Sequence, residues 1–294
     1  MNRMPPMIPT SRLNEPPPMA DQTALPVTFL MLGFQRCGTT WVDEALREHP
    51  EIFLPAAKQT FYFNRYYDEK PLAWYAGHFA DVQPQHKAVG EIASHYTAPE
   101  VIPRIARELP HVRIILAMRN PVERAGSNFF AKQGVEGNSW SSFEEAIEQS
   151  PALLTRGQFA DTVEALLEHY DREQLLFLFY DDLLKDDRAY LRSILRFIGV
   201  DPSFESSQIG QRRYGSKTAR LRKVLGPIGR SRVLHRFRRT TLFNLARRTI
   251  NRFDRIDYNR AIDPTTRARL VEHFRPYNDR LAELTGRDLS AWNR

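Results

Sequence analysis

One short stretch of this chain has the residue types and spacing of an anion-binding loop. Gly33 and Gly38 enclose four residues after an apolar run, and Thr39 and Thr40 follow at the start of a predicted helix. Glycines let successive backbone N–H groups turn inward, and a helix N-terminus adds partial positive charge, so the stretch favours a phosphate-like group. The spacing is that of the nucleoside-triphosphate loop G-x-x-x-x-G-K-[ST], but Thr39 stands in the lysine position and the nearest cation is Arg36. Because triphosphate enzymes need that lysine for the β- and γ-phosphates, the sequence indicates a different anion.

A second cationic motif follows an apolar run of strand length, residues 112–118. Arg119 comes directly after the run, and Pro121 suits the first turn of a helix. On that helix Arg124 and Ser127 are three residues apart and share one face. Two guanidinium groups and a hydroxyl at the carboxyl end of a strand predict a second phosphate site.

Taken in order, the two motifs resemble those of sulfotransferases that use 3′-phosphoadenosine 5′-phosphosulfate (PAPS), in the bacterial and carbohydrate-type branch. Residues 58–63 are similar to the family pattern K-E-x-x-F-F, and residues 90–96 are similar to G-E-K-S-P-x-Y. The resemblance covers the chain from about residue 27 to its end and also includes residues 49–52, 179–183, 195–199 and 277–292.

The resemblance implies where the cosubstrate binds. In the family the first loop holds the 5′-phosphosulfate, R-x-P-x-x-R-x-x-S holds the 3′-phosphate, and a basic loop often closes over the nucleotide. It implies no metal, and the acceptor stays open among sugars, other small molecules such as polyketides and amines, and glycolipids. The expected cosubstrate contacts are Gln35, Arg36, Cys37, Gly38, Thr39, Thr40, Trp41, Arg119, Ser127, Arg213, Tyr214, Ser216 and Lys217.

Sulfuryl transfer requires alignment of the reacting groups and stabilisation of charge on the leaving phosphate. Arg36 is the candidate for the leaving-phosphate side, and Lys58 is the candidate for the sulfuryl group or the acceptor. The residue that resembles the family's general base, the Glu of K-E-x-x-F-F, is Gln59 here, and an amide is not a useful proton acceptor. Glu91 is the leading replacement and His95 the second, since a carboxylate or an imidazole can do this work.

Cys37 is the single cysteine of the chain, so no internal disulfide can form. It lies in the anion loop next to a predicted helix N-terminus, a setting that lowers the pKa of a thiol. We expect a reactive thiol that bound nucleotide shields.

The elements that must position these motifs alternate along the chain. Strands are predicted near 28–33, 87–91, 112–118 and 175–179, and helices near 39–48, 98–108, 121–131, 141–148, 157–170 and 187–197. Such alternation favours an α/β fold of three layers, P-loop-like, with a central parallel sheet flanked by helices and ligands at the carboxyl ends of the strands. A disordered leader is expected over residues 1–26, which hold seven prolines, and one sulfotransferase domain over residues 27–294.

Residues 212–252 contain fourteen Lys or Arg and no Asp or Glu, in a chain of net charge +7. This basic segment is expected to cap the nucleotide, to contact an anionic membrane surface, or to form a solvated face of the core. No apolar run reaches the ~20 residues of a bilayer span, so we expect a cytoplasmic protein whose membrane contact would be peripheral. The oligomeric state stays open.

Two other functions stay open from the residues alone. A P-loop kinase or NTPase accounts for residues 33–40 but leaves the motif at 119–127 unexplained. A non-enzymatic membrane or nucleic-acid binder accounts for the basic segment but for neither phosphate motif, so no nucleic-acid partner is expected.

Overall fold

The computed structural model describes residues 25–132, 140–211 and 262–294. The basic segment 212–252 lies outside these ranges, as does the predicted leader apart from its last two residues. The proposed division of the chain at residue 26 therefore stays a prediction.

Five parallel strands form the central sheet, in the order β2-β3-β1-β4-β5. Strands β1, β3 and β4 are almost wholly buried, as expected where helices cover both faces of a parallel sheet, and their residues are apolar apart from Glu91 in β3 and the exposed Arg113 at the start of β4. The strands are β1 (Phe29–Gly33), β2 (Ile52–Phe53), β3 (Ala88–Ile92), β4 (Arg113–Met118) and β5 (Leu175–Phe179).

Helices connect these strands and flank the sheet. Helix α4 illustrates the local signals: it begins at Pro121, and the side-chain oxygen of Asn120 accepts hydrogen bonds from the N–H groups of Val122 (3.0 Å) and Glu123 (3.3 Å). The helices are α1 (Thr39–Leu46), α2 (Leu72–Gly77), α3 (Ile102–Glu108), α4 (Pro121–Lys132), α5 (Phe143–Gln149), α6 (Ala152–Thr155), α7 (Phe159–His169), α8 (Tyr180–Lys185), α9 (Asp187–Ile198) and α10 (Pro264–Thr285), with a π-helical turn at Tyr62–Tyr66.

The predicted fold class is confirmed, and the four predicted strands are present with bounds within one residue. Several described elements had no counterpart in the prediction: strand β2, helices α2, α6, α8 and α10, and the π-helical turn. Strand β2 has two residues, too few for a periodic signal. Helix α10 contains Pro276, a residue that usually breaks a helix.

The strand order brings three loops to one edge of the sheet. Strand β1 pairs with β3 on one side and with β4 on the other, so that Met31 lies opposite Ile92 and Gly33 opposite Ala117. The loops that leave β1, β3 and β4 at their carboxyl ends are therefore neighbours. In open α/β sheets the crevice at such a reversal of strand order is where ligands bind.

Candidate active site

The anion loop after β1 depends on its two glycines. Gly38 has φ 89°, a left-handed conformation that side chains disfavour, and a Cβ there would lie 2.9 Å from Leu183 Cδ2. A Cβ on Gly33 would lie 2.3 Å from the methyl group of Thr39. The loop thus turns tightly back onto the strand end.

The geometry of the loop leaves backbone N–H groups without acceptors at the start of α1. Within the described part of the chain, the backbone N–H groups of Gly38, Thr39 and Thr40 donate to no acceptor. These N–H groups open an eight-residue helix, where the helix dipole favours negative charge. These N–H groups are the donors that the predicted anion cradle requires, and anion binding by them stays a prediction.

Arg36 joins the two cationic motifs. Its Nε donates to Ser127 Oγ at 2.9 Å, across 91 residues of sequence. A positive φ of 73° lets the Arg36 side chain leave the loop in this direction. The strands explain the meeting, because β1 and β4 are adjacent and both motifs leave the same edge of the sheet.

Arg119 lies at the end of β4 with its guanidinium held from two sides. It pairs with Glu123 at 3.1 Å and lies over the ring of Tyr180, 4.6 Å from the ring centroid. Only 11% of the Arg119 side chain is exposed. A guanidinium in this position is pre-oriented for a phosphate at the rim of the crevice.

Arg124, the other arginine predicted for the second phosphate site, is more deeply buried than Arg119. It is fully buried, and its Nη2 donates to the backbone carbonyl of Leu153. Burial lowers the pKa of Arg124 to about 10. Its Nε and Nη1 have no hydrogen-bond partner among the described residues, and Ser127 on the same face of α4 is only 2% exposed, so the phosphate contact predicted for Arg124 stays a prediction.

Lys58 and Thr40 are in contact at the outer side of the loop, where Lys58 Nζ donates to Thr40 Oγ1 at 3.1 Å. Burial lowers the pKa of Lys58 relative to its usual value, and the charges of Asp43 and Glu44 oppose that effect. Lys58 therefore places a cation next to the first turn of α1.

Glu91 is in a closed environment that does not suit the general base predicted from the sequence. It is fully buried, and it accepts hydrogen bonds from the Thr60 backbone N–H (2.6 Å) and the hydroxyl groups of Tyr75 (3.1 Å) and Tyr96 (3.4 Å). Desolvation raises the pKa of Glu91 to about 7, although the hydrogen bond from Thr60 lowers it. Because Thr60 follows Gln59 directly, the carboxyl group anchors the segment that carries Lys58 and Gln59 and has no open side toward a substrate.

His95 is the better placed of the two candidate bases. Its Nδ1 contacts Gln59 Oε1, and its Nε2 lies 2.7 Å from Gln35 Nε2. On the far side of Gln35, Arg156 Nη1 donates to Gln35 Oε1 at 3.0 Å. Residues of four different loops therefore meet in one row of side chains.

Cys37 does not have the environment that the sequence predicted. The side chain is fully buried, and desolvation raises its thiol pKa to about 12 even though Arg124 and Arg119 act in the opposite direction. The backbone N–H of Cys37 donates to the Phe34 carbonyl at 3.2 Å. The prediction that Cys37 is an exposed, reactive thiol is therefore wrong.

The remaining candidates of the first loop contribute in different ways. Thr39 is buried with its methyl group against Gly33. The indole N–H of Trp41 donates to the Gln208 carbonyl at 3.2 Å. Gln208 lies three residues before the end of the described range 140–211, which the basic segment follows. The four predicted contacts between 213 and 217 lie outside the described residues.

A cavity of about 640 Å³ opens next to the row of side chains that contains His95. Twelve of its sixteen lining residues are polar or charged, and Gln35, His95 and Arg156 are among them. Four charged side chains line it: Glu100, Arg104, Arg156 and Asp161. Sequence analysis missed Arg104 and Arg156, since nothing local distinguishes them from other surface arginines.

Phe61 is a further residue that the sequence did not single out. It has φ 60°, and with Arg36 it is one of two non-glycine residues with positive φ in the described chain. Its ring lies 5.1 Å from the ring of His95. Such backbone conformations cost about 1–3 kcal/mol and persist where the surroundings impose them, often at functional sites.

Comparison with known proteins places the chain in a family. Residues 26–215 match the family model described as the sulfotransferase domain, so the chain belongs to the sulfotransferase domain family. It is 31% identical over 153 residues to the membrane-associated sulfotransferase kil1 of Dictyostelium discoideum, covering 51% of this chain and 31% of kil1. It is 23% identical over 271 residues to the heparan sulfate glucosamine 3-O-sulfotransferase 3B1 of Mus musculus, covering 88% of this chain and 63% of that protein. The chain thus spans less than two thirds of either relative.

A solved structure shares the fold. The crystal structure of a sulfotransferase from Alicyclobacillus acidocaldarius superposes with a TM-score of 0.67 at 22% identity, covering 91% of this chain and 99% of that one. Among the described residues, no helix is long and apolar enough to cross a membrane. In the same residues no group of three His, Cys, Asp or Glu side chains is arranged to hold a metal ion.

Proposed function

We propose that this protein transfers a sulfuryl group from PAPS to a hydroxyl or amine of a polar acceptor. The observation that carries the proposal is the hydrogen bond of 2.9 Å from Arg36 to Ser127, which unites the two anion motifs at one crevice. Membership of the sulfotransferase domain family supports the same reaction.

In this proposal the first loop and Arg36 bind the 5′-phosphosulfate, and Arg119 and Ser127 bind the 3′-phosphate. The N–H groups at the start of α1 and the Arg36 guanidinium stabilise the negative charge that grows on the leaving phosphate. Arg36 keeps its proton throughout, since a guanidinium does not act as an acid at ordinary pH. Lys58 adds positive charge beside Thr40.

His95 is the proposed base. As the bond between sulfur and the acceptor oxygen forms, the bond between sulfur and the bridging phosphate oxygen breaks, and the acceptor proton passes to Nε2 of His95. A neutral imidazole is required for this step, and burial together with the charges of Arg156 and Lys132 lowers the pKa of His95, which favours the neutral ring.

The cavity beside His95 is the proposed acceptor site. Its volume suits a molecule of one or a few sugar rings, and its polar and charged lining suits a hydroxylated acceptor better than an apolar one. A carbohydrate or the headgroup of a glycolipid has this chemistry. The relatives named for heparan sulfate support the carbohydrate class.

A binding measurement separates this function from a kinase or NTPase. We expect calorimetry to detect binding of 3′,5′-bisphosphoadenosine to the protein in the presence of EDTA, and weaker binding of ATP. A kinase is disfavoured because the lysine position of the triphosphate loop holds Thr39, whose buried methyl group packs against Gly33. Binding that requires a divalent metal, or a preference for ATP, would overturn the proposal.

The acceptor class is tested with PAPS and a panel of sugars, glycolipids, phenols and amines, with mass detection of the added sulfuryl group. Modification of sugars or glycolipids supports the proposed acceptor, whereas modification of apolar phenols alone contradicts it. Omission of PAPS is the control.

We also propose a cytoplasmic enzyme whose basic segment 212–252 contacts anionic membranes peripherally, since the charge of that segment attracts anionic headgroups. We expect cosedimentation with phosphatidylserine vesicles at low salt and release at high salt. Equal binding to phosphatidylcholine vesicles would contradict this.

A further inference from the structure

The hydrogen bonds of His95 assign its tautomer. A guanidinium carries only donors, so Gln35 must turn its oxygen toward Arg156, where the distance is 3.0 Å. The Gln35 amide nitrogen then faces His95 Nε2 at 2.7 Å and donates to it. Nε2 is therefore an acceptor without a proton.

The other ring nitrogen gives the same assignment. A neutral imidazole with an unprotonated Nε2 carries its proton on Nδ1, and Nδ1 contacts the side-chain oxygen of Gln59. Ser94 Oγ donates to that oxygen as well, at 3.3 Å. Both neighbours of the imidazole are uncharged amides, so neither attracts an additional proton onto the ring.

The charged surroundings of His95 are positive on two sides. Arg156 approaches from the segment between α6 and α7, and Lys132 approaches from the end of α4; both disfavour a second proton on the ring. The acids Glu100 and Asp161 line the same cavity. The Phe61 ring covers the imidazole at 5.1 Å.

We infer that Arg156 and Gln35 are positioning residues that hold His95 as the Nδ1–H tautomer, and that an acceptor hydroxyl replaces the Gln35 amide as the donor to Nε2. This inference rests on the proposed function, in which Nε2 takes the acceptor proton. Gln35 directly precedes Arg36, so the loop that binds the leaving phosphate also orients the base. Replacement of the amide by the acceptor would couple occupancy of the two substrate sites.

Nitrogen-15 NMR of the histidine rings tests the tautomer without any need for activity. In the full chain labelled at its eight histidines, the His95 signal is the one missing from His95→Asn. We expect the Nδ1–H pattern in the unmodified protein. The Nε2–H pattern there would overturn the inference.

Two variants test the positioning role. In Gln35→Glu the carboxylate accepts from both Arg156 and the ring, so we expect a proton on Nε2 and a fall of at least tenfold in the transfer rate. In Arg156→Met the Gln35 amide loses its fixed orientation, and we expect mixed tautomers and titration at higher pH. Arg104→Met is the matched control, because it removes another arginine of the cavity without touching this row, and its His95 spectrum should be unchanged. An unchanged His95 spectrum in both test variants would show that these residues do not position the ring.

The pH dependence of kcat/KM separates the role of His95 as the base from the assignment of its tautomer. If His95 is the base, the acidic limb of the profile follows the NMR titration of His95 and moves to higher pH in Arg156→Met. If the tautomer is as inferred but His95→Asn keeps its full rate, the base assignment fails, whereas the hydrogen-bond assignment stands. Should Gln35→Glu fail to fold, the spectrum of the unmodified protein and that of Arg156→Met still decide the question.

Discussion

Replacing Glu91 by glutamine tests whether this carboxyl group anchors the loop that carries Gln59 or takes part in catalysis. The residue is fully buried, and its oxygens accept from Thr60, Tyr75 and Tyr96. An amide has nearly the same shape, keeps an acceptor for the Thr60 N–H, and can donate to a tyrosine oxygen. We therefore expect Glu91→Gln to fold and to bind 3′,5′-bisphosphoadenosine with unchanged affinity.

The size of the effect on stability follows from the pKa. Burial raises the pKa of Glu91 from 4.5 to about 7 in the folded protein. A group whose pKa rises on folding contributes stability that is fully present below about pH 4.5 and is lost as the pH rises through about 7. The change corresponds to about 3 kcal/mol. Glutamine does not titrate, so the variant should gain about that much relative to the unmodified protein between pH 4.5 and 8.

Urea unfolding of both proteins at pH 5, 6, 7 and 8, followed by tryptophan fluorescence, measures this difference, and the groups common to both proteins cancel. The sulfuryl-transfer rate is the second readout and should stay within tenfold of the unmodified enzyme. A stability difference that does not vary with pH would refute the linkage argument. A loss of 10²- to 10⁴-fold in rate with intact folding and nucleotide affinity would instead restore Glu91 as a general base.

Further predictions concern the anion site. Arg119→Ala should weaken bisphosphate binding about ten- to a hundredfold in calorimetry, from loss of a charge-assisted contact of about 1.5–3 kcal/mol, while the exposed Arg188→Ala should not. Maleimide should label the buried Cys37 slowly in the folded chain and rapidly in urea; fast labelling of the folded chain would contradict its burial. Gly38→Ala should destabilise the fold by about 1–3 kcal/mol and weaken bisphosphate binding, since its φ is 89° and a Cβ would press on Leu183; an unchanged melting temperature would argue against this loop geometry.

The sequence by itself predicted four of the five strands and proposed two phosphate motifs. Buried parallel strands are mostly apolar runs of strand length, so β1, β3, β4 and β5 could be predicted without tertiary information. Glycine spacing and cations at strand ends have a direct local meaning, because backbone N–H groups and helix termini act over a few residues. For this reason Gly33, Gly38, Arg119 and Ser127 could be proposed as anion-site residues from the sequence.

Only the tertiary structure decided which titratable groups can reach a substrate. Glu91 lies within β3 and His95 lies four residues later, after the strand, yet Glu91 is buried among tyrosines and His95 lines a cavity. Cys37 and Arg124 have loop or helix positions that suggest accessibility, but both are fully buried. Burial and desolvation arise from contacts distant in sequence, and they decide the pKa of each group.

The row from Arg156 through Gln35 to His95 and Gln59 was likewise invisible in the sequence. Its members come from four loops, and the contact between Gln35 and Arg156 spans 121 residues. No local pattern distinguishes these glutamines from solvent-exposed ones. These residues meet because of the strand order. Placing β1 between β3 and β4 brings the anion loop, the histidine and the second phosphate motif to one edge of the sheet.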